Sequence, residues 1–279
     1  MKTEPLKTSL YESSNGLFWL LSCALCYGQE DCGNLEQNSE RAEACKKANE
    51  AYRYYEFDPR YDEVLSQAIA IDSSYGQSYK LKALPYLKRG DLITWKLLID
   101  EAVRYEPERY LIERANHRFY HLKDYAGALR DIDTVLDNPA YKTESHEYTT
   151  YDVRIMRALC FRGIGKDSVA LSIMEELLYN EVHWPKPYDF IHFGKLYLNI
   201  GNLEHALNVF TIHSENYQMA ETEYYLALIY YELDQKDFFN HHIEQAHNLY
   251  LKGLKMTGKY TTPLDKIYEE DIIALKNRN

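Results

Sequence analysis

One arrangement of side chains recurs along this chain at a spacing near 34 residues, and it limits the fold more than any other feature. Its clearest copy is Gly194-x-x-Tyr197, then Gly201-Asn202, then Ala206 and Phe210. Gly194 and Tyr197 are three apart and Ala206 and Phe210 four apart, so each pair shares one face of an α-helix. The Gly-Asn dipeptide between them reads as a turn. A small residue on each helix lets the two axes approach, and the aromatics fill the volume beside it. The segment therefore predicts a hairpin of two antiparallel helices.

Copies starting at residues 42, 76, 109, 151, 187 and 220 can be laid in register, with steps of 34, 33, 42, 36 and 33. The first carries Tyr52, Leu65 and Ala68. The second carries Ala83, Tyr86, Gly90, Trp95, Ala102 and Pro107. The third carries Phe119, the Lys123-Asp124-Tyr125 turn, Ala128, Ile132 and Val135. The fourth carries Ala158, Phe161, Gly165, Ala170 and Met174, and the sixth Ala227, Tyr230, Phe239, Ile243 and Ala246. The long step reflects an insertion at 138–150. Tyr61, Trp95 and Phe239 stand where other copies have a small residue, and His213 replaces an alanine in the fifth. Those helix pairs are expected to pack at a different separation and to make the curvature irregular.

The pattern resembles the tetratricopeptide repeat, whose period is 34 residues and whose signature residues alternate small and aromatic side chains over a helical hairpin. The resemblance implies an all-α, right-handed superhelical solenoid of about six hairpins over residues 42–253. Such arrays grow by adding units, so one elongated body is expected. It implies a binding role, with the first helix of each hairpin lining a concave groove. Carried over position by position, the groove residues are Arg53 and Tyr54, then Lys80, Leu84 and Lys88, then Tyr110, His117, Tyr120 and His121. Arg162 follows from the fourth copy, Tyr188 and Lys195 from the fifth, and Glu221, Tyr224 and Tyr231 from the sixth. Arg53, Lys80 and Lys88 form a local cationic patch suited to an extended protein or peptide segment with aromatic or aliphatic anchors and one or two carboxylates. Chaperone-binding relatives follow the groove lysine with an asparagine four residues on. Here Lys80 is followed by Leu84, so that clamp is not reproduced.

Composition agrees. The 279 residues carry a net charge of −11, which lacks the basic footprint of nucleic-acid binding. The 12 glycines and 8 prolines cluster at predicted turns, and no window alternates like a strand. Tyrosine reaches 27 residues; some occupy the repeat's aromatic positions and others suit recognition surfaces.

Residues 17–28 form an apolar run too short to span a bilayer and followed at once by Gln29-Glu30-Asp31. Residues 1–28 thus read as a signal peptide cut after Gly28, with residues 29–41 as an N-terminal strap and an exported, periplasmic or envelope location. Leu20-Leu21-Ser22-Cys23 looks like a bacterial lipobox, which makes acylation of Cys23 a second outcome and a lipid anchor its consequence. In an oxidising compartment Cys32 and Cys45 can pair. Cys160 reads as a small buried hydrophobe.

Catalytic motifs are sparse. His117 and His121 lie four apart with Glu113 one turn back, a spacing that can bind a metal, but the adjacent glutamate of a zinc hydrolase is missing. His241, His242 and His247 define no geometry. Gly163-Ile164-Gly165-Lys166 falls at a repeat turn, so it is no phosphate loop, and no Gly-x-Ser-x-Gly elbow occurs. The reading is a non-enzymatic protein- or peptide-binding scaffold with no cofactor and no metal. Its alternatives are a cytoplasmic regulatory or immunity-type protein with one dedicated partner and, third, a metal-dependent enzyme. Residues 254–279 read as linker and cap. Thr262-Pro263 signals a helix start, and Leu264, Ile267, Tyr268, Ile272 and Leu275 recur on one face that should close the sixth hairpin.

Overall fold

A computed structural model describes residues 31–36, 39–141, 152–179, 186–258 and 262–278. The expected signal segment, Cys23 and residues 142–150 of the insertion lie outside them. The described residues form thirteen α-helices and no strand. Twelve helices pair as hairpins: α1 (Glu40–Asn49) with α2 (Pro59–Ile71), α3 (Gly76–Lys88) with α4 (Leu92–Tyr105), and α5 (Pro107–His117) with α6 (Tyr125–Leu136). Then come α7 (Val153–Gly163) with α8 (Asp167–Tyr179), α9 (Pro187–Asn199) with α10 (Leu203–Asn216), and α11 (Ala220–Glu232) with α12 (Lys236–Leu251). A short α13 (Glu269–Lys276) packs on α12. Each second helix also packs on the first helix of the next hairpin, so the units stack in chain order.

The turns of the second to sixth hairpins share one geometry. After the first helix the chain passes through a left-handed residue, and the next amide reaches back to a carbonyl near the helix end. Asn202 N donates to Tyr197 O at 2.9 Å around Gly201, whose φ is 77°. The same bond joins Asp91 to Tyr86, Lys166 to Phe161 and Gln235 to Tyr230, each at 2.9 Å. In the third and sixth hairpins the left-handed residue is Lys123 or Asp234 rather than glycine. The residue after the turn then caps the second helix. Asp91, Asp124 and Asn202 accept from the amides of Thr94, Gly127 and His205.

The recurring small residues sit where the helices nest. Ala68, Ala83, Ala102, Ala128, Ala158, Ala170, Ala206, Ala227 and Ala246 are all buried. Gly194 lies so near Phe210 that an added Cβ would stand 2.5 Å from the ring. Where the pattern departs, Tyr61, Trp95 and Phe239 are equally buried, and the Tyr61 hydroxyl donates to Leu81 O at 3.2 Å. His213 is buried too, its Nδ1 2.6 Å from Thr222 Oγ1 on α11.

Two polar clusters brace the N-terminal hairpins. The buried Glu106 accepts from Gly76 N at 3.0 Å and Arg109 at 3.2 Å and pairs with Arg41 of α1, joining the first three hairpins. Asp131 takes Arg114 at 2.7 Å and Arg118 at 3.0 Å inside the third. There the first helix continues as a π-helical turn, Arg118–Leu122. At the N-terminus a disulfide joins Cys32 to Cys45 on α1, with Cα atoms 5.8 Å apart. Cys160 is a buried free thiol, which burial pushes up to about 12.

The C-terminal cap differs from expectation. Its helix begins at Glu269 rather than near Thr262. The reason is Asp265, which adopts a left-handed backbone (φ 60°) and turns its carboxylate away from the local amides. Ile267, Ile272 and Leu275 are buried as the amphipathic pattern requires, but Tyr268 is 46% exposed.

Candidate functional site: the concave face

The first helices define the inner surface. α1 approaches α3, α7 approaches α9, and α9 approaches α11, whereas no two second helices pack as closely. A stack whose first helices are nearer together than its second helices curves with the first helices inside. The expected groove residues therefore divide between an open N-terminal half and a filled C-terminal half.

In the N-terminal half Arg53, Lys88 and His121 are exposed, and Tyr54 and Leu84 are half-buried. The cationic patch is partly neutralised. Lys88 pairs with Glu56 at 2.5 Å, and Lys80 stands 3.8 Å from Glu113. Glu113 also lies 3.8 Å from His117 Nε2. Burial alone would raise the Glu113 carboxyl, but His117 and Lys80 outweigh it and hold it below the usual carboxylate range. His117 sits edge-on to Trp95 at 5.7 Å and beside His121 at 5.4 Å. Burial, together with His117 and Lys123, lowers the His121 pKa. Among the described residues no group of three or more His, Cys, Asp or Glu side chains is set to hold a metal ion.

Two expected groove residues of the N-terminal half are not at the surface. Tyr110 is 3% exposed and donates to Gln77 Oε1 at 2.8 Å, so it seals the joint between the second and third hairpins. Tyr120 is 8% exposed against Phe119, with ring centroids 4.9 Å apart. The π-helical turn shifts the register beyond residue 118 and carries Tyr120 inward.

The C-terminal half is occupied by the chain itself. Beyond α12 the backbone returns across the concave face, and Ala220 N donates to Leu254 O at 2.8 Å. The Met256 amide donates to both oxygens of the buried Glu221 at 3.0 Å. Burial raises the Glu221 carboxyl despite that bond. Tyr188 Oη accepts from Thr257 N at 2.8 Å and donates to Thr257 O at 3.2 Å. Asp265 then meets groups from three hairpins. Arg162 of α7 grips its carboxylate with two bonds of 2.5 Å, and His192 Nδ1 of α9 lies 2.7 Å away. Tyr225 of α11 donates its hydroxyl to Asp265 O at 3.0 Å.

The electrostatics of this pocket are those of a desolvated ion pair. Burial alone would push the Asp265 carboxyl up, but Arg162 and His192 prevail and hold it well below the usual carboxylate range. Burial lowers the Lys195 ammonium, which stands over the Tyr225 ring at 5.8 Å. Burial raises the Tyr225 hydroxyl. Arg162, Tyr188, Lys195 and Glu221 thus lie on the expected face but are engaged or crowded by the return segment. Tyr224 and Tyr231 are half-buried beside them, Tyr231 packing on Phe239 at 5.7 Å. His192, Tyr225, Met256 and Asp265 were missed by the repeat register. The one available signal was an ionisable residue, His192, between apolar neighbours on a first helix.

Solved structures share this architecture, among them the following three. PilW, described as a widely conserved type IV pilus biogenesis factor, superposes with a TM-score of 0.58 at 14% identity, over 84% of this chain and 98% of that one. PilF of Pseudomonas aeruginosa gives 0.57 at 13% identity, over 86% and 100%. YrrB, described as a TPR protein with an unusual peptide-binding site, gives 0.52 at 15% identity, over 77% and 99%. No protein-family model and no curated sequence relative matches the chain. At these identities the likeness is one of fold: an all-α tetratricopeptide-type solenoid.

Proposed function

We propose that this tetratricopeptide-type solenoid is a non-enzymatic scaffold that holds an extended protein or peptide segment along its concave face. The observation that carries the proposal is the return segment. The same face already lodges a stretch of non-helical polypeptide through main-chain bonds at Tyr188 and Glu221 and a carboxylate grip at Arg162. The open half offers the neighbouring surface, with Tyr54, Leu84, Lys88 and His121 as its contacts. Aromatic and aliphatic anchors beside charged groups suit recognition of an extended chain. The peptide-binding site named for YrrB and the pilus biogenesis role named for PilW support a protein partner.

We place the protein in the bacterial envelope, exported by residues 1–28 and either cut after Gly28 or acylated at Cys23. The Cys32–Cys45 disulfide favours an oxidising compartment. Among the described residues no helix is long and apolar enough to cross a membrane. N-terminal analysis of the native protein tests this: Gln29 or acyl-Cys23 supports export, and an intact Met1 refutes it. Affinity capture from the native cell tests the groove. Leu84→Glu, Lys88→Glu and His121→Glu together should abolish capture of the wild-type partner; unaltered capture would move the interface off this face.

A further inference from the structure

The Asp265 contact reaches 103 residues back along the chain, from beyond the last hairpin to the first helix of the fourth. Closing the end of the stack does not require this. Ile272 and Leu275 bury the apolar face of α13, and Lys276 and Glu269 of that helix meet Glu244 and His247 of α12. Nor is Asp265 at rest locally, since its backbone takes a left-handed conformation that non-glycine residues seldom adopt. What the contact satisfies is the pocket. Arg162 and His192 project from two successive first helices, and Lys195 flanks them one turn along α9. With Asp265 withdrawn, the Arg162 guanidinium would lose both of its 2.5 Å bonds and the buried His192 its 2.7 Å carboxylate contact.

We infer that Arg162, His192 and Lys195 form a carboxylate-binding site of which Asp265 is the resident ligand. A partner's extended segment bearing an aspartate or glutamate side chain enters by displacing it. This rests on the concave-face reading above and names the chemistry recognised there. The return segment is pinned at its two ends by the buried Met256 and Ile267, and Pro263 between them is buried as well. Thr257 and residues 262–266 lie between those pins, so the carboxylate arm can lift while both stay seated and α13 remains docked. The site is then a matched pair, a cationic pocket and an internal copy of its ligand, and affinity for an outside segment is reduced by the fraction of molecules in which the arm is down.

The test uses the full chain and a peptide of residues 262–268, amidated at its C-terminus and carrying an uncharged BODIPY fluorophore at its N-terminus so that its side-chain carboxylate is the only one, beside the same peptide with asparagine for aspartate. In fluorescence anisotropy, Asp265→Ala protein should bind the aspartate peptide on the order of tenfold or more tighter than wild type. It should discriminate against the asparagine peptide, and adding Arg162→Ala should abolish binding. Equal binding of the two peptides, or none to Asp265→Ala, overturns the inference. Hydrogen exchange on the wild-type protein gives a measurement free of any variant. The amides of Thr257 and Lys266 should exchange on the order of a hundredfold faster than that of Met256 and those within α9 and α11. Exchange of all of them at one common rate overturns the inference. These readouts involve no natural partner, so unaltered capture by the Leu84, Lys88 and His121 variant would fault the proposed open-half interface and leave the pocket result standing.

Discussion

Replacing Gly194 with alanine tests whether side-chain nesting holds the hairpins together. The added methyl would lie 2.5, 2.7 and 2.8 Å from three carbons of the Phe210 ring. Carbon atoms are comfortable at about 3.5–4.0 Å, so the overlap is about 1 Å. The ring has nowhere to go. It is fully buried and stacks on Tyr225 of the next hairpin at 5.3 Å, and the Tyr225 hydroxyl in turn holds the Asp265 carbonyl. Overpacking of this kind costs about 1–3 kcal/mol. Alanine recovers about 1 kcal/mol through its better helix propensity. With the ring locked the cost falls at about 2–3 kcal/mol, the upper part of that range, so the clash should win, leaving a net loss of about 1–2 kcal/mol in urea unfolding followed by circular dichroism. Shortening the ring with Phe210→Leu should relieve the overlap, so the double variant should be more stable than the two single losses predict, by about 1 kcal/mol. If Gly194→Ala is as stable as wild type or more so, local propensity outweighs packing and the nesting argument fails.

Other outcomes follow from individual contacts. His213 is held neutral by burial, its pKa lowered from 6.5 to about 4. Between those values the unfolded chain binds a proton that the folded one does not, so stability is full above about pH 6.5 and is lost as pH falls towards 4. At about 1.4 kcal/mol per pH unit the loss approaches roughly 3 kcal/mol, and His213→Gln should flatten it in urea midpoints taken from pH 7 to 4.5. The Cys32–Cys45 bridge closes a loop of separation 13, worth about 3 kcal/mol, so reduction should lower the thermal midpoint. A chain beginning at residue 29 should show one thiol on denaturation, and three would refute the bridge. Ile267→Asp buries a carboxylate where 2% of the side chain is exposed and should cost about 3 kcal/mol or more, while Tyr268→Asp should stay within about 0.5 kcal/mol. Equal thermal shifts for the two would show that the return segment does not pack as described.

The hairpins were legible because their determinants are local. Gly201 with Asn202 and Ala206 with Phe210 specify a turn, a cap and a nesting face within a few residues of one another. Asp91 and Asp124 could be read in the same way. Tyr110 and Tyr120 were not, because burial of a groove position depends on the neighbouring hairpin and on the π-helical turn at 118–122, neither of which the repeat register contains. The return segment was hidden for a stronger reason. Thr262-Pro263 carries a proper helix-start pattern, yet a carboxylate that finds Arg162 and His192 overrides it. No window of sequence holds both ends of that contact.

A linear stack of hairpins, pulled from its last residue, would peel one unit at a time. Here the bond from Asp265 to Arg162 shunts the load past α8–α12 and into α7. The fourth to sixth hairpins should therefore resist tension as one block and then give way together, while the first three, outside that loop of force, unravel separately.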